Sequence, residues 1–241
     1  MNIQQLNKDN CIGFYHKTGT DVGLTEEGDL ASGYQHHDGL WWHGDAGEVQ
    51  RPKTLELNST INFLALVFVR MAKNLINNFH PKTILELGCG NGMLSKALRE
   101  LDPTITTVTV DANRVVKEKS PYVNENHFLG RTDQALDFCY ENGEKVKFDI
   151  VISLEHFEHV SEETFDTLME NVVAHTTVGS KFIFTAAEWS YENEDQKHVH
   201  CNCKSLEEWR KYITRYGFES YPPEFMLGRA GDTVEVFSVR K

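Results

Sequence analysis

The chain has no long apolar run. Its most hydrophobic stretch, Phe63-Leu-Ala-Leu-Val-Phe-Val69, falls far short of the roughly 20 residues needed to span a bilayer. The polar segment Met1–Cys11 lacks the hydrophobic centre of a secretory signal. Basic clusters are missing as well: 24 Lys and Arg stand against 36 Asp and Glu, giving a net charge of −12. Such acidity repels a phosphate backbone, so neither nucleic acid nor a membrane is an expected partner. Cysteines are few, odd in number and scattered (Cys11, Cys89, Cys139, Cys201, Cys203). That pattern excludes a disulfide framework and points to reduced thiols in a cytoplasmic setting. No internal repeat or low-complexity tract stands out.

What is present suits one large domain with an appendage, in 241 residues. Residues 1–56 carry no convincing periodic element and are rich in Gly, His, Asp and aromatics, including Tyr15, His16, Tyr34, His36, His37, Trp41, Trp42 and His43. An irregular segment of that length reads as an N-terminal extension or lid. Its paired tryptophans either cover a substrate or anchor the arm to the core. The main domain is expected over residues 57–241. It opens with a helix capped by Asn58 or Ser59 and carrying Ile61, Leu64, Ala65, Phe68, Ala72, Leu75 and Phe79 at helical spacing.

The chemistry begins at Thr83-Ile-Leu-Glu86-Leu-Gly88-Cys89-Gly90-Asn91-Gly92-Met93-Leu94. A short apolar strand ends in an acid and three alternate glycines, and a helical pattern (Leu94, Ala97, Leu98, Leu101) follows and stops at Asp102-Pro103. Strand, glycine turn and helix open a βαβ nucleotide-binding unit. The dinucleotide spacing G-x-G-x-x-G would need glycine where Met93 stands, which argues against a nicotinamide-dependent oxidoreductase. Thr106–Val110 then reads as a second strand closing in Asp111, about 20 residues past the turn, where an acid can accept from a ribose diol.

With Glu86 leading Gly88, Gly90 and Gly92, the stretch resembles motif I of class I S-adenosylmethionine-dependent methyltransferases. The resemblance implies an α/β fold, doubly wound around a mostly parallel seven-stranded sheet, with S-adenosylmethionine as cofactor. It implies cofactor contacts from Glu86, Gly88, Cys89, Gly90, Asn91, Gly92, Asp111 and Ala112. Asp133 and Gln134 would lie on the adenine side, after a third strand at His127–Leu129, and Ser153 and Leu154 at the end of the fourth. Asp133 could equally cap a helix through Ala135, Leu136 and Phe138.

Phe148–Ser153 is the apolar fourth strand, running into Leu154-Glu155-His156-Phe157-Glu158-His159-Val160. Ligands in open α/β sheets sit beyond the carboxyl ends of strands, so these side chains face the reacting methyl group. Ser161 caps a helix buried through Phe165, Leu168 and Val172 and closed by Gly179. Lys181–Ala186 is a fifth strand. The capping box Ser205–Glu208 opens a helix ending at Gly217, and strands at 218–225 and 233–239 complete the sheet.

The phrase Glu155-x-x-Glu158-His159-Val160 resembles many small-molecule O-methyltransferases. In that reading His159 is the base for an acceptor hydroxyl, oriented by a carboxylate, and Glu155 meets the methionine end of the cofactor. The acceptor is then a sugar, a lipid-like precursor or a natural product. The same phrase resembles the metal site of small-RNA 3′-end 2′-O-methyltransferases, with Glu155, Glu158, His159 and His198 or His200 as ligands of a divalent ion. The loop Cys201-Asn-Cys-Lys204 departs from that family and the acidic charge disfavours RNA, so a metal is possible but not expected. A third reading is a cofactor-binding module without catalysis. Cys201-x-Cys203 alone is too small a pattern for structural zinc.

Overall fold

A computed structural model describes residues 3–5, 55–90, 92–112, 120, 122–188, 200–221 and 235–239. In chain order these form β1 (Ile3–Gln5), α1 (Leu55–Phe79), β2 (Thr83–Leu87), α2 (Met93–Leu101), β3 (Thr106–Asp111), β4 (His127–Leu129), β5 (Phe138–Tyr140), β6 (Ile150–Ser153), α3 (Glu162–Ala174), β7 (Lys181–Phe184), α4 (Leu206–Thr214), β8 (Phe218–Ser220) and β9 (Glu235–Val239). Among the described residues, no helix is long and apolar enough to cross a membrane.

Seven strands make one sheet in the order β4-β3-β2-β6-β7-β9-β8. The first five run parallel, and β9 is antiparallel to both of its neighbours. The chain builds outward from β2 through β3 to β4, then crosses back to lay β6 on the other side of β2. That reversal is the topological switch point, where open α/β sheets hold ligands at the carboxyl ends of their strands.

The strands are apolar on both faces because both faces are covered. With a side-chain period of two, Ile84, Ile150, Ile152 and Ile183 point to one side. There they pack with Met71, Ala72 and Leu75 of α1 and Leu94, Ala97 and Leu98 of α2. Leu85, Val108, Val110, Val151, Phe182 and Phe184 point to the other, against Phe165 and Leu168 of α3 and Trp209 and Ile213 of α4. The capping box at the start of α4 forms as expected, with Ser205 Oγ accepting from the Glu208 amide and the Glu208 carboxylate accepting from the Ser205 amide.

Several sequence expectations need correction. Asn58 and Ser59 lie inside α1, which starts at Leu55. Ser161 is the N-cap of α3, but its hydroxyl meets Thr164 Oγ1 at 3.1 Å rather than a backbone amide. That helix ends at Ala174, not at Gly179. His175 turns inward, its ring bonding the Val146 carbonyl (2.9 Å) and its own carbonyl accepting from Phe148 N (2.9 Å). Gly179, at φ 94°, instead shapes the turn into β7.

No helix forms over Ala135–Phe138. The Asn171 side chain takes the backbone groups a helix would have paired: Oδ1 accepts from Leu136 N (2.9 Å), and Nδ2 donates to the carbonyls of Thr132 (2.9 Å) and Gln134 (2.7 Å). Phe138–Tyr140 is then free to be a strand, antiparallel to Ile3–Gln5 in a separate two-stranded sheet. The extension, read as residues 1–56, is thus not wholly irregular, and its last two residues already belong to α1; residues 6–54, including the aromatic and histidine cluster from Tyr15 to His43, lie outside the described residues.

Candidate active site and cofactor cleft

The glycine loop leaves β2 with three left-handed residues, Gly88 (φ 66°), Gly90 (φ 53°) and Gly92 (φ 83°). Gly88 and Cys89 donate to the Val110 carbonyl (2.9 and 3.1 Å), which ties the loop to the end of β3. Asp111, 2 % exposed, accepts from the Gly90 amide through Oδ2 at 2.9 Å. The acid that closes β3 therefore braces the loop that leaves β2. A Cβ on Gly92 would lie 2.7 Å from Val123 Cγ1, and one on Gly88 2.5 Å from the ring of His156. The second glycine-only approach joins the loop to the end of β6. Asn91 lies outside the described residues, and Ala112 is half-buried beside Asp111.

Glu86 is buried beneath the loop and accepts from Ser95 Oγ of α2. Burial raises its carboxyl to about 7, against the lowering effect of the Ser95 bond. Cys89 is buried with its Sγ 3.7 Å from His127 Nδ1. Burial and the Asp111 charge hold this thiol well above its ordinary range, so it is an inert, protonated group. Past β4, Arg131 grips both oxygens of Asp133 (2.8 and 2.6 Å), and Thr164 Oγ1 donates to the same carboxylate at 3.0 Å. Gln134 is anchored through its carbonyl by Asn171.

At the end of β6, Ser153 is fully buried and donates to the Leu87 carbonyl at 3.1 Å. Leu154 is half-buried, and Glu155 turns the chain in a left-handed conformation (φ 48°) with its amide on Thr185 O and Oγ1. A 3₁₀ turn over Phe157–His159 follows, seated on the fully buried Phe157.

That turn presents Glu158 (1 % exposed) and His159 beside His200 (3 % exposed). The two imidazoles meet edge to face at 5.0 Å between centroids, and one ligand-type atom from each of the three residues lies within 4.8 Å of the others. Asn202 N donates to the Glu158 carbonyl at 3.1 Å, which pins the later loop against the turn. Of the sequence candidates, Glu158 and His159 are therefore brought together with His200. Glu155 stands outside that group of three, and His198 lies outside the described residues. Cys201 and Cys203 flank the group with thiols pushed up to about 11 by burial.

Two residues near this site were not singled out by sequence. Asn202 reaches it through a contact between distant segments, which no local pattern signals. His156 stands three places past the end of β6, next to Glu155, and only the packing over Gly88 marks it.

A family profile described as a methyltransferase domain matches residues 59–221. The chain belongs to this family. Its domain is of the S-adenosylmethionine-dependent methyltransferase type, and a left-handed glycine loop at the switch point, braced by the buried acid that closes β3, suits that cofactor. The mitochondrial ubiquinone biosynthesis O-methyltransferase of Schizosaccharomyces pombe is 29% identical over 136 residues, 55% of this chain and 46% of that protein. Ribosomal RNA small subunit methyltransferase C of Buchnera aphidicola subsp. Baizongia pistaciae is 28% identical over 100 residues, 41% of this chain and 30% of its own. The aligned segments thus span less than half of either curated relative. Among solved structures, the glycopeptide N-methyltransferase MtfA with (S)-adenosyl-L-methionine has a TM-score of 0.51 at 15% identity. It covers 72% of this chain and 94% of that one, a likeness of fold.

Proposed function

We propose that the protein transfers a methyl group from S-adenosylmethionine to a hydroxyl oxygen of a small molecule, in a cytoplasmic setting. The observation that carries this reading is the Glu158–His159–His200 group just past the carboxyl end of β6, the strand that pairs with β2 at the switch point. When bound, the cofactor supplies an electrophilic methyl on a sulfonium. Gly88–Gly92 and Asp111 would hold its amino-acid and ribose portions, and the Arg131-fixed Asp133 would border the adenine. His159 takes the proton of the acceptor hydroxyl, and Glu158 stabilises the imidazolium that forms. The kinship with an O-methyltransferase supports an oxygen acceptor, and the net charge of −12 argues against an RNA acceptor.

His159→Ala should abolish turnover while leaving S-adenosylhomocysteine affinity within about twofold, by methyl-transfer assay over hydroxylated metabolites and by calorimetry. Full activity in that variant would end the reading. The same three side chains favour a second one, in which a divalent ion on Glu158, His159 and His200 lowers the hydroxyl pKa. Repeating the assay with chelator and with added Mn²⁺ separates them, because only the second loses turnover on chelation.

A further inference from the structure

His156 is placed by an unusual set of constraints. Ser153 Oγ–His156 Nδ1 is 3.0 Å and Thr132 Oγ1–His156 Nε2 is 3.1 Å, while the ring covers Gly88 so closely that no Cβ fits beneath it. The single hydroxyl proton of Ser153 goes to the Leu87 carbonyl, which can only accept. Ser153 Oγ must therefore accept from His156, which puts the ring proton on Nδ1. Nε2 is then the acceptor for the Thr132 hydroxyl. Burial pushes the imidazole down to about 4, against the raising pull of Asp133, so the ring is neutral at physiological pH.

Three segments meet at this ring, and each comes from a different edge of the cofactor cleft. Gly88 opens the glycine loop, Ser153 ends β6, and Thr132 lies in the loop that carries Asp133. The ring reaches them only because Glu155 adopts its left-handed turn, which Thr185 secures with two bonds to the Glu155 amide. Such a conformation is costly for a side-chain-bearing residue and persists only where neighbours enforce it. A small or flexible residue at 156 would leave both hydroxyls and the face of Gly88 without this common partner.

We infer that His156 is a positioning residue of the cofactor site, whose imidazole fixes the glycine loop, the end of β6 and the Thr132–Asp133 loop at one spacing. The side of Gly88 where a Cβ would stand is on this account filled by the imidazole, which leaves only the backbone of Gly88 to face the cofactor. A neutral ring also suits a cleft that must accept a sulfonium cation, since a protonated one would repel it. The inference rests on the assignment of S-adenosylmethionine as cofactor.

The test is a double-mutant cycle on the full chain, read by calorimetry with S-adenosylhomocysteine and by thermal unfolding. His156→Ala should weaken binding at least tenfold at a temperature well below its melting point. His156→Gln, which keeps a donor and an acceptor, should recover most of the loss. Gly88→Ala should weaken binding by at least a similar factor, and Gly88→Ala with His156→Ala should lose clearly less than the product of the two single losses, because the new methyl then has room and only the left-handed backbone cost remains. Fully additive losses would overturn the inference. So would a His156→Ala variant that binds as well as the parent chain, or better. Should Gly88→Ala fail to fold, the His156→Ala and His156→Gln pair still decides. A parent chain that binds no S-adenosylhomocysteine would instead defeat the cofactor assignment, a result distinct from any of these.

Discussion

Asp111 has two tasks that share one carboxylate. It braces the Gly90 amide from below, and in the proposed complex it accepts from the ribose. Asp111→Ala should weaken S-adenosylhomocysteine binding by about 1–3 kcal/mol, the usual cost of leaving buried polar partners unmet, as measured by calorimetry. Glu86 makes a prediction about pH. Its folded pKa of about 7 lies above the unfolded value of 4.5, so its contribution is complete below pH 4.5 and is lost as pH rises through 7. A shift of that size corresponds to about 3 kcal/mol. Glu86→Gln, which keeps a partner for Ser95, should flatten the fall in urea-unfolding stability between pH 4.5 and 8. An unchanged slope would show that Glu86 is ionised in the folded chain. At this scale the glycines, Glu86 and Asp111 were legible because their spacing along one βαβ unit is local. His156 was not, since its role depends on Gly88, Thr132 and Ser153 arriving from three strands.

Among the elements, β5 shows how one side chain can override local preference. Ala135, Leu136 and Phe138 have helical spacing, yet Asn171 on α3 occupies the amide and carbonyls that a helix would need. Removing those bonds leaves two buried backbone groups and one half-buried one to find new partners. Asn171→Ala should therefore destabilise the fold by about 2–4 kcal/mol, a fall in Tm of several degrees for a chain of this size, visible by calorimetric melting. A variant that melts with the parent would mean that water or a relaxed loop replaces the amide. The central strands were readable because parallel strands covered on both faces appear as apolar runs, as in Ile150–Ser153, although the expected start at Phe148 lay two residues too early. The α3 terminus was misplaced because a buried histidine, not a glycine, stops it. The three-residue β1 was invisible because Ile-Gln-Gln carries no period at all.

At the scale of the molecule, the described residues form one doubly wound sheet and a small ribbon, and the cleft draws on the ends of β2, β3, β4 and β6. Cofactor binding should therefore stabilise it as a unit. At a hundredfold excess over Kd, S-adenosylhomocysteine should add about 2.7 kcal/mol to unfolding, and NAD should add nothing. A melting experiment that ranks the two ligands the other way would remove the cofactor from the account. The Glu158–His159–His200 group belongs to this scale too. Its first two members were legible as a phrase, while His200 reached them through a loop some forty residues later, so the sequence left His198 and His200 as alternatives.

The pairing of Ile3–Gln5 with Phe138–Tyr140 has a consequence for biosynthesis. Ile3 and Tyr140 are partners 137 residues apart. At ribosomal rates of 5–20 residues per second, the amino-terminal strand waits roughly 7–27 s before its mate has even been made. During that interval its unsatisfied edge is open to capture by other nascent segments or by chaperones, so this small ribbon closes only after much of the central sheet has left the ribosome.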